Sequence, residues 1–256
     1  EVASDFENHP TSYQHYLASR PKKWENDAIH LMIRMCRKHN CPVHIVHVAS
    51  AEALAQIEAA KKEGLPITAE TCTQYIYFTA EEIPDAKTIY KCAPPIREKA
   101  NNEQLKLAFR SGVLDFMTTD HSPAPPSTKE IETGNLKKAW GGIAGIQFLL
   151  NGSWTALKDT LSIEKFIPLV TSKPAEFIKA HQKGTIEIGK DADFVIWNPE
   201  ESTVITEEAI HFRYKISPYI GQKLSGIVLE TIVNGETVYK NKSIKTKNKG
   251  QWLLQK

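Results

Sequence analysis

The sequence predicts an α/β fold over residues 1–183 and a small β module over residues 184–256. Three observations carry this prediction. Dense apolar runs of β character alternate with amphipathic helical patterns at roughly 25–35 residue intervals, the wiring of parallel strands joined by helical crossovers. One run, Leu114 to Thr119, stops at Asp120-His121-Ser122-Pro123, and Pro123, Pro125 and Pro126 then deny any further ladder pairing. From Gly184 the pattern changes to turn glycines and short strands, including Asn234-Gly235 between two strand-like stretches, the strongest short hairpin signal. Three βα units do not close an eight-stranded barrel, so the sheet is either open or part of one.

Taken in order, residues 1–21 read as polar and irregular. A helix opens after Pro21, capped by Asn26 or Asp27, with Ala28, Leu31, Met32 and Met35 as its apolar stripe and its end at His39-Asn40. The Met32/Met35 pair reads as core packing. Residues 42–50 are a buried strand candidate and Ala51–Lys62 a helix, with Ala51, Leu54, Ala55 and Ile57 inward and Gly64 just past its end. Residues 65–75 are the next strand and loop. Residues 101–111 form a helix burying Leu105, Leu107, Ala108 and Phe109, and the Leu114–Thr119 strand follows. Further helices are predicted at 143–157, 163–170 and 174–182. The antiparallel module occupies about 184–244, with a basic tail, Lys245–Lys256, on the surface.

Composition narrows the function. Of 256 residues, 41% are hydrophobic and 24% charged, which is ordinary for a globular chain, and a net charge of +2 gives no electrostatic case for nucleic acid or an anionic membrane. No apolar stretch is long enough to span a bilayer. Cys36, Cys41, Cys72 and Cys92 form no C-x-x-C pair and read as reduced core thiols of an intracellular protein whose compartment is unknown. The chain opens at Glu1 with no initiator Met and no leader pattern, and reads as the interior of something longer.

Among nine histidines, most sit in polar contexts and need no functional explanation. His44 and His47 flank a strand, and three residues apart they point to opposite faces. His44 reads as a hydrogen-bonded structural histidine. His47 lies nearer the carboxyl end of its strand, as Asp120 does on a later one. Imidazole and carboxylate converging there suit a zinc-like ion, which lowers the pKa of a water while a neighbouring carboxylate takes its proton; that scheme suits amide hydrolysis. Equally open on these residues alone, Asp120 caps a loop and His47 is a core histidine.

Several stretches are more specific: Tyr16-Leu-Ala-Ser-Arg-Pro21, His44-Ile-Val-His-Val-Ala-Ser50, Glu70-Thr-Cys-Thr-Gln-Tyr75, Lys91-Cys-Ala-Pro-Pro-Ile-Arg97, Thr119-Asp-His-Ser-Pro123, Lys137-Lys-Ala-Trp140-Gly-Gly-Ile-Ala-Gly145 and Gly184…Gly189-Lys-Asp-Ala-Asp193. Together they resemble the carboxyl-terminal part of the allantoinases, in the cyclic amidohydrolase group of the amidohydrolase superfamily, over nearly the whole chain. The resemblance implies the last strands and helices of a TIM-like (β/α)8 barrel, followed by part of a small β-sandwich. It implies metal-dependent opening of the hydantoin ring of allantoin to allantoate, in purine catabolism, with two divalent ions, zinc by ligand type, in the complete site. His47 matches a metal-binding histidine, and Asp120 matches an aspartate that is both metal ligand and general base. Ala93, where relatives often have Ser, and the loop at Trp140 match backbone contacts to the ring. The family's remaining ligands, a His-x-His pair, a carboxylated lysine and a further histidine, lie upstream. The chain is therefore expected to be inactive alone, to need its amino-terminal portion as a partner, and to form a homo-oligomer. A dihydropyrimidinase- or hydantoinase-type enzyme and a non-catalytic scaffold are the alternatives.

Overall fold

The computed structural model describes residues 2–245 and 253. It opens with two helices where the sequence reads as irregular, α1 (Val2–Asn8) and α2 (Tyr13–Ala18). Neither is long enough to display a helical period. α3 (Lys22–His39) follows Pro21 and ends on Asn40 in the left-handed region, as a helix C-terminus commonly does. Its buried face is Ile29, Ile33 and Cys36; Ala28, Leu31 and Met32 are exposed and Met35 is half-buried, so the expected stripe faces outward. Both sets of residues fit one helical face, so periodicity finds the helix without choosing the face.

Three parallel strands come next, β1 (Val43–Ile45), β2 (Ile67–Cys72) and β3 (Phe116–Thr118), in the spatial order β1-β2-β3. β1 pairs with the first half of β2 and β3 with its second half. The crossovers are α4 (Leu54–Lys62), and then α5 (Thr73–Tyr77) with α6 (Lys99–Ser111). α4 buries Ile57 and Ala60, with Ala53 just before it, whereas Ala55 is exposed; in α6 Leu105, Ala108 and Phe109 are buried but Leu107 is exposed. Past β3 the chain forms α7 (Leu149–Leu157), α8 (Ile163–Phe166) and α9 (Ser172–Phe177), the last ending earlier than expected.

The second sheet is antiparallel, in the order β4 (Phe194–Val204), β5 (Lys223–Val233), β6 (Glu236–Lys240), β7 (Ser243–Ile244). Asn234 and Gly235 both take positive φ, 50° and 78°, as a two-residue hairpin turn of this kind requires. β4 is longer than the short strand expected, and its pairing with β5 breaks between Asn198 and Ser202, where Pro199 has no proton for the ladder. Of the basic tail, only Lys245 and Leu253 lie within the described residues.

The antiparallel sheet packs on α7 and the segments around it through aromatic side chains. Trp154 of α7 sits edge-on to Trp197 of β4 and donates its indole proton to the Pro199 carbonyl at 3.1 Å. Gly226 of β5, at φ +90°, lies under Trp197, where a Cβ would come within 2.6 Å of the indole. The connection between β4 and β5 carries Tyr219, fully buried against Tyr77, Phe78 and Phe148. All four cysteines are free; Cys36, Cys72 and Cys92 are buried as expected, but Cys41, just past the α3 terminus, is exposed and is no core thiol. Among the described residues, no helix is long and apolar enough to cross a membrane.

Candidate active site

His47 and Asp120 occupy equivalent positions at the carboxyl edge of the parallel sheet. Each lies two residues past the end of its strand, His47 after β1 and Asp120 after β3. Each takes left-handed backbone, with φ of 41° and 43°. Asp and His are among the non-glycine residues that tolerate this region best. The alternation argument for His44 and His47 does not hold, because the chain leaves the strand at Val46, before His47.

His44 is inside β1 and is held structurally. Its Nδ1 is 2.8 Å from the Thr68 hydroxyl, its Nε2 is 3.3 Å from the Glu70 carboxylate, and its ring stacks on Phe116. The segment after His47 is fastened at several points. One Glu25 oxygen accepts from the amides of Ala49 and Ser50 at 2.7 and 2.8 Å, and Arg97 stands 3.8 Å from the other. Asn101 accepts from the Ala51 amide and donates to the Ala49 carbonyl. Burial pushes the Glu25 carboxyl up against the pull of those amides and of Arg97.

The segment carrying Ala93 is gripped by three buried phenols. Tyr16, Tyr75 and Tyr13 donate to the carbonyls of Cys92 (2.6 Å), Pro94 (2.9 Å) and Ile96 (3.0 Å), every second residue. Ala93 itself is exposed. A Cβ on Gly141 would sit 3.6 Å from the Ala93 methyl, so the Trp140 loop lies directly against Ala93. The same loop is tied to the residues following Asp120. The Trp140 indole donates to the Ser122 hydroxyl at 3.0 Å, the Ser122 amide donates to the Ile143 carbonyl, and His121 Nδ1 accepts from the amides of Gly145 and Ile146. Burial lowers the His121 pKa, in keeping with a neutral ring that accepts at Nδ1.

Ala93, the Trp140 loop and Asp120 therefore belong to one connected framework, and His47 lies on the same sheet edge. Among the described residues, the one group of three metal-ligating side chains with donor atoms within 4.8 Å is elsewhere: Asp5 on α1, His9 just past its end and His15 on α2. There each Asp5 oxygen already faces one imidazole, at 3.5 and 3.2 Å, and His9 also bonds the Asp5 carbonyl. That group is a partnered surface network.

The description of the amidohydrolase family matches residues 7–238. The chain belongs to the amidohydrolase family. It is 39% identical over 250 residues to the allantoinase of Arabidopsis thaliana, covering 93% of this chain and 49% of that protein. It is 40% identical over 227 residues to the allantoinase of Streptomyces avermitilis, covering 88% and 50%. The chain thus spans about half the length of the curated relatives it matches. Among solved structures, the L-hydantoinase (dihydropyrimidinase) of Arthrobacter aurescens superposes with a TM-score of 0.88 at 27% identity, covering 96% of this chain and 55% of that one. A D-hydantoinase gives 0.84 at 30% identity, covering 95% and 55%.

Within this amidohydrolase chain, the residues that sequence reasoning passes over are those that hold the loops. Tyr16, Tyr75, Lys91 and Arg97 fall inside the quoted motifs, but nothing in their spacing says that they bond main-chain groups. Glu25 and Lys129 look like ordinary helix and loop charges, yet Lys129 is only 3% exposed.

Proposed function

We propose that this chain is the carboxyl-terminal part of a metal-dependent cyclic amidohydrolase that opens the hydantoin ring of allantoin to allantoate. The reading is carried by the matched placement of His47 and Asp120, each two residues past a parallel strand in left-handed backbone, beside the loop fastened to Ala93. The three parallel strands are then the last of a barrel, an arrangement consistent with the stagger of β1 and β3 along β2. The antiparallel sheet is then part of a β-sandwich.

An imidazole and a carboxylate suit a borderline divalent ion such as zinc, and both side chains stand at the edge where such folds do chemistry. Two protein donors are fewer than a site needs, so the remaining ligands come from outside these 256 residues and the chain alone is inactive. When bound, the metal supplies Lewis-acid polarisation and a water of lowered pKa. Asp120 takes the proton of the attacking water and returns it to the ring nitrogen as the C–N bond breaks and the C–O bond forms. The main chain at Ala93 and in the Trp140 loop orients the ring; a methyl in place of a hydroxyl at position 93 leaves a main-chain contact intact. Four free thiols fit the expected reducing, intracellular setting.

Allantoin is preferred over dihydrouracil as substrate because the allantoinase relatives reach 39–40% identity whereas the hydantoinase structures share 27–30%. The test is ring opening and metal content of the full-length protein, with both substrates. We expect Asp120→Ala to lower allantoin hydrolysis by about a thousandfold. Wild-type turnover in that variant would overturn the assignment of Asp120, and faster opening of dihydrouracil would move the enzyme to the dihydropyrimidinase group. A metal-free, inactive wild-type protein would make it a scaffold relative.

A further inference from the structure

We propose that Lys129 is a positioning residue of the ring-opening site, its ammonium clamping the Trp140–Gly142 loop to the segment that carries Ala93. Its substrate rests on the ring-opening reading above; the clamp rests on geometry alone. Lys129 lies in the proline-rich loop after Asp120 and is almost wholly buried. Its Nζ donates to the carbonyls of Lys91 (2.7 Å), Trp140 (3.0 Å) and Gly142 (2.5 Å). An ammonium has three protons, and here each finds a carbonyl. No carboxylate is among these partners, so this buried charge is held by main-chain dipoles, a costly arrangement unless all its protons are satisfied.

The three acceptors flank the positions assigned to the ring. Lys91 is two residues before Ala93, and the bonded carbonyls of Trp140 and Gly142 bracket Gly141, which lies against Ala93. Lys91 extends the ladder: its own Nζ donates to the Ala139 carbonyl at 2.6 Å and the Lys137 carbonyl at 3.3 Å. Trp140, Gly141 and Ala93 are themselves exposed, and at their level the two arms are joined by the Lys129 ammonium, which bonds main-chain carbonyls on both.

The test uses the full-length protein with Lys129→Met and Lys129→Ala. It measures KM and kcat for allantoin, bound metal, and hydrogen exchange at the hydrogen-bonded amides of Trp140, Gly145 and Ile146. We expect Lys129→Met to raise KM about tenfold or more and to speed exchange at those amides by a similar factor. Bound metal and exchange in α6 stay at wild-type levels. Ethylammonium added to Lys129→Ala should bring KM back toward the wild-type value. Wild-type KM in Lys129→Met overturns the proposal whether or not exchange is faster, and so does wild-type exchange. If Lys129→Met does not fold, Lys129→Gln, which keeps two donors, is read by the same two criteria. If the wild-type protein opens no allantoin, the ring-opening reading fails, and exchange alone decides whether the clamp exists.

Discussion

The carboxyl edge of the parallel sheet and the antiparallel sheet are finished to different degrees. Around β1–β3, the loops at and near the sheet edge are tied down by buried or half-buried polar side chains: Glu25 and Asn101 behind His47, the three tyrosines along residues 92–96, and Lys129 under the Trp140 loop. In β4 the consecutive residues Val195 and Ile196 are each 48% exposed, so apolar side chains look outward from both faces of the strand. The layer reaches the full core at the β4–β5 connection, through Tyr219 and Ile210, and at Leu224 near the start of β5. The comparison teaches that the parallel-sheet layer organises its own loops with residues of this chain, whereas the antiparallel layer holds its shape mainly by its ladder and by its packing on α7.

That difference can be broken by mutation. The largest effect is expected for Phe148→Ala, which empties a site packed against Tyr219 and Phe212; about 3–5 kcal/mol should be lost on chemical denaturation. Gly226→Ala comes next, at about 1–3 kcal/mol, because it forces a methyl into Trp197 at a φ that side chains avoid. It would disturb the packing of the antiparallel sheet on α7, and a change in the Trp197 fluorescence environment reports it. Val195→Ala should cost less than about 1 kcal/mol. A cost for Val195→Ala equal to that of Phe148→Ala would erase the contrast drawn here.

A separate effect is expected in the pH dependence of stability. Burial holds the Lys129 ammonium down to about 8, and unfolding returns it to the ordinary lysine value. Between those values the unfolded chain binds more protons, so this group contributes stability that is present at high pH and lost as pH falls through 8. Relative to Lys129→Met, the wild-type protein should gain stability as pH rises from 8 to 10. A parallel pair of curves would show that the lysine titrates normally.

Much of this could be read in the sequence, and what could not has a common cause. The three strands, the crossover helices and the Asn234-Gly235 turn are local patterns, and they stand close to where periodicity and turn chemistry put them. Sequence alone does not give the inward face of α3, because Leu31 and Met32 are as apolar as Ile29 and Ile33; only a neighbour decides which face is covered. His47 and Asp120 are marked by their place at strand ends; Asp and His tolerate left-handed backbone better than most residues, but residue type alone does not say that both adopt it. The bracing residues were hidden for a sharper reason. A tyrosine or lysine that bonds main-chain carbonyls depends on where distant segments pass, and Tyr16 and Cys92 are 76 residues apart.

The phenol grip on residues 92–96 has a consequence for how this surface changes over time. On the proposed reading the ring is met there by peptide groups, which are addressed by position and not by side chain, so Ala93 could be exchanged for another small residue without changing what it offers. The vulnerability is displaced to Tyr16 and Tyr75, which never meet the solvent. A mutational scan of such a surface would record a tolerant centre and an intolerant interior, and a reader searching for invariant groups at the mouth would look in the wrong place.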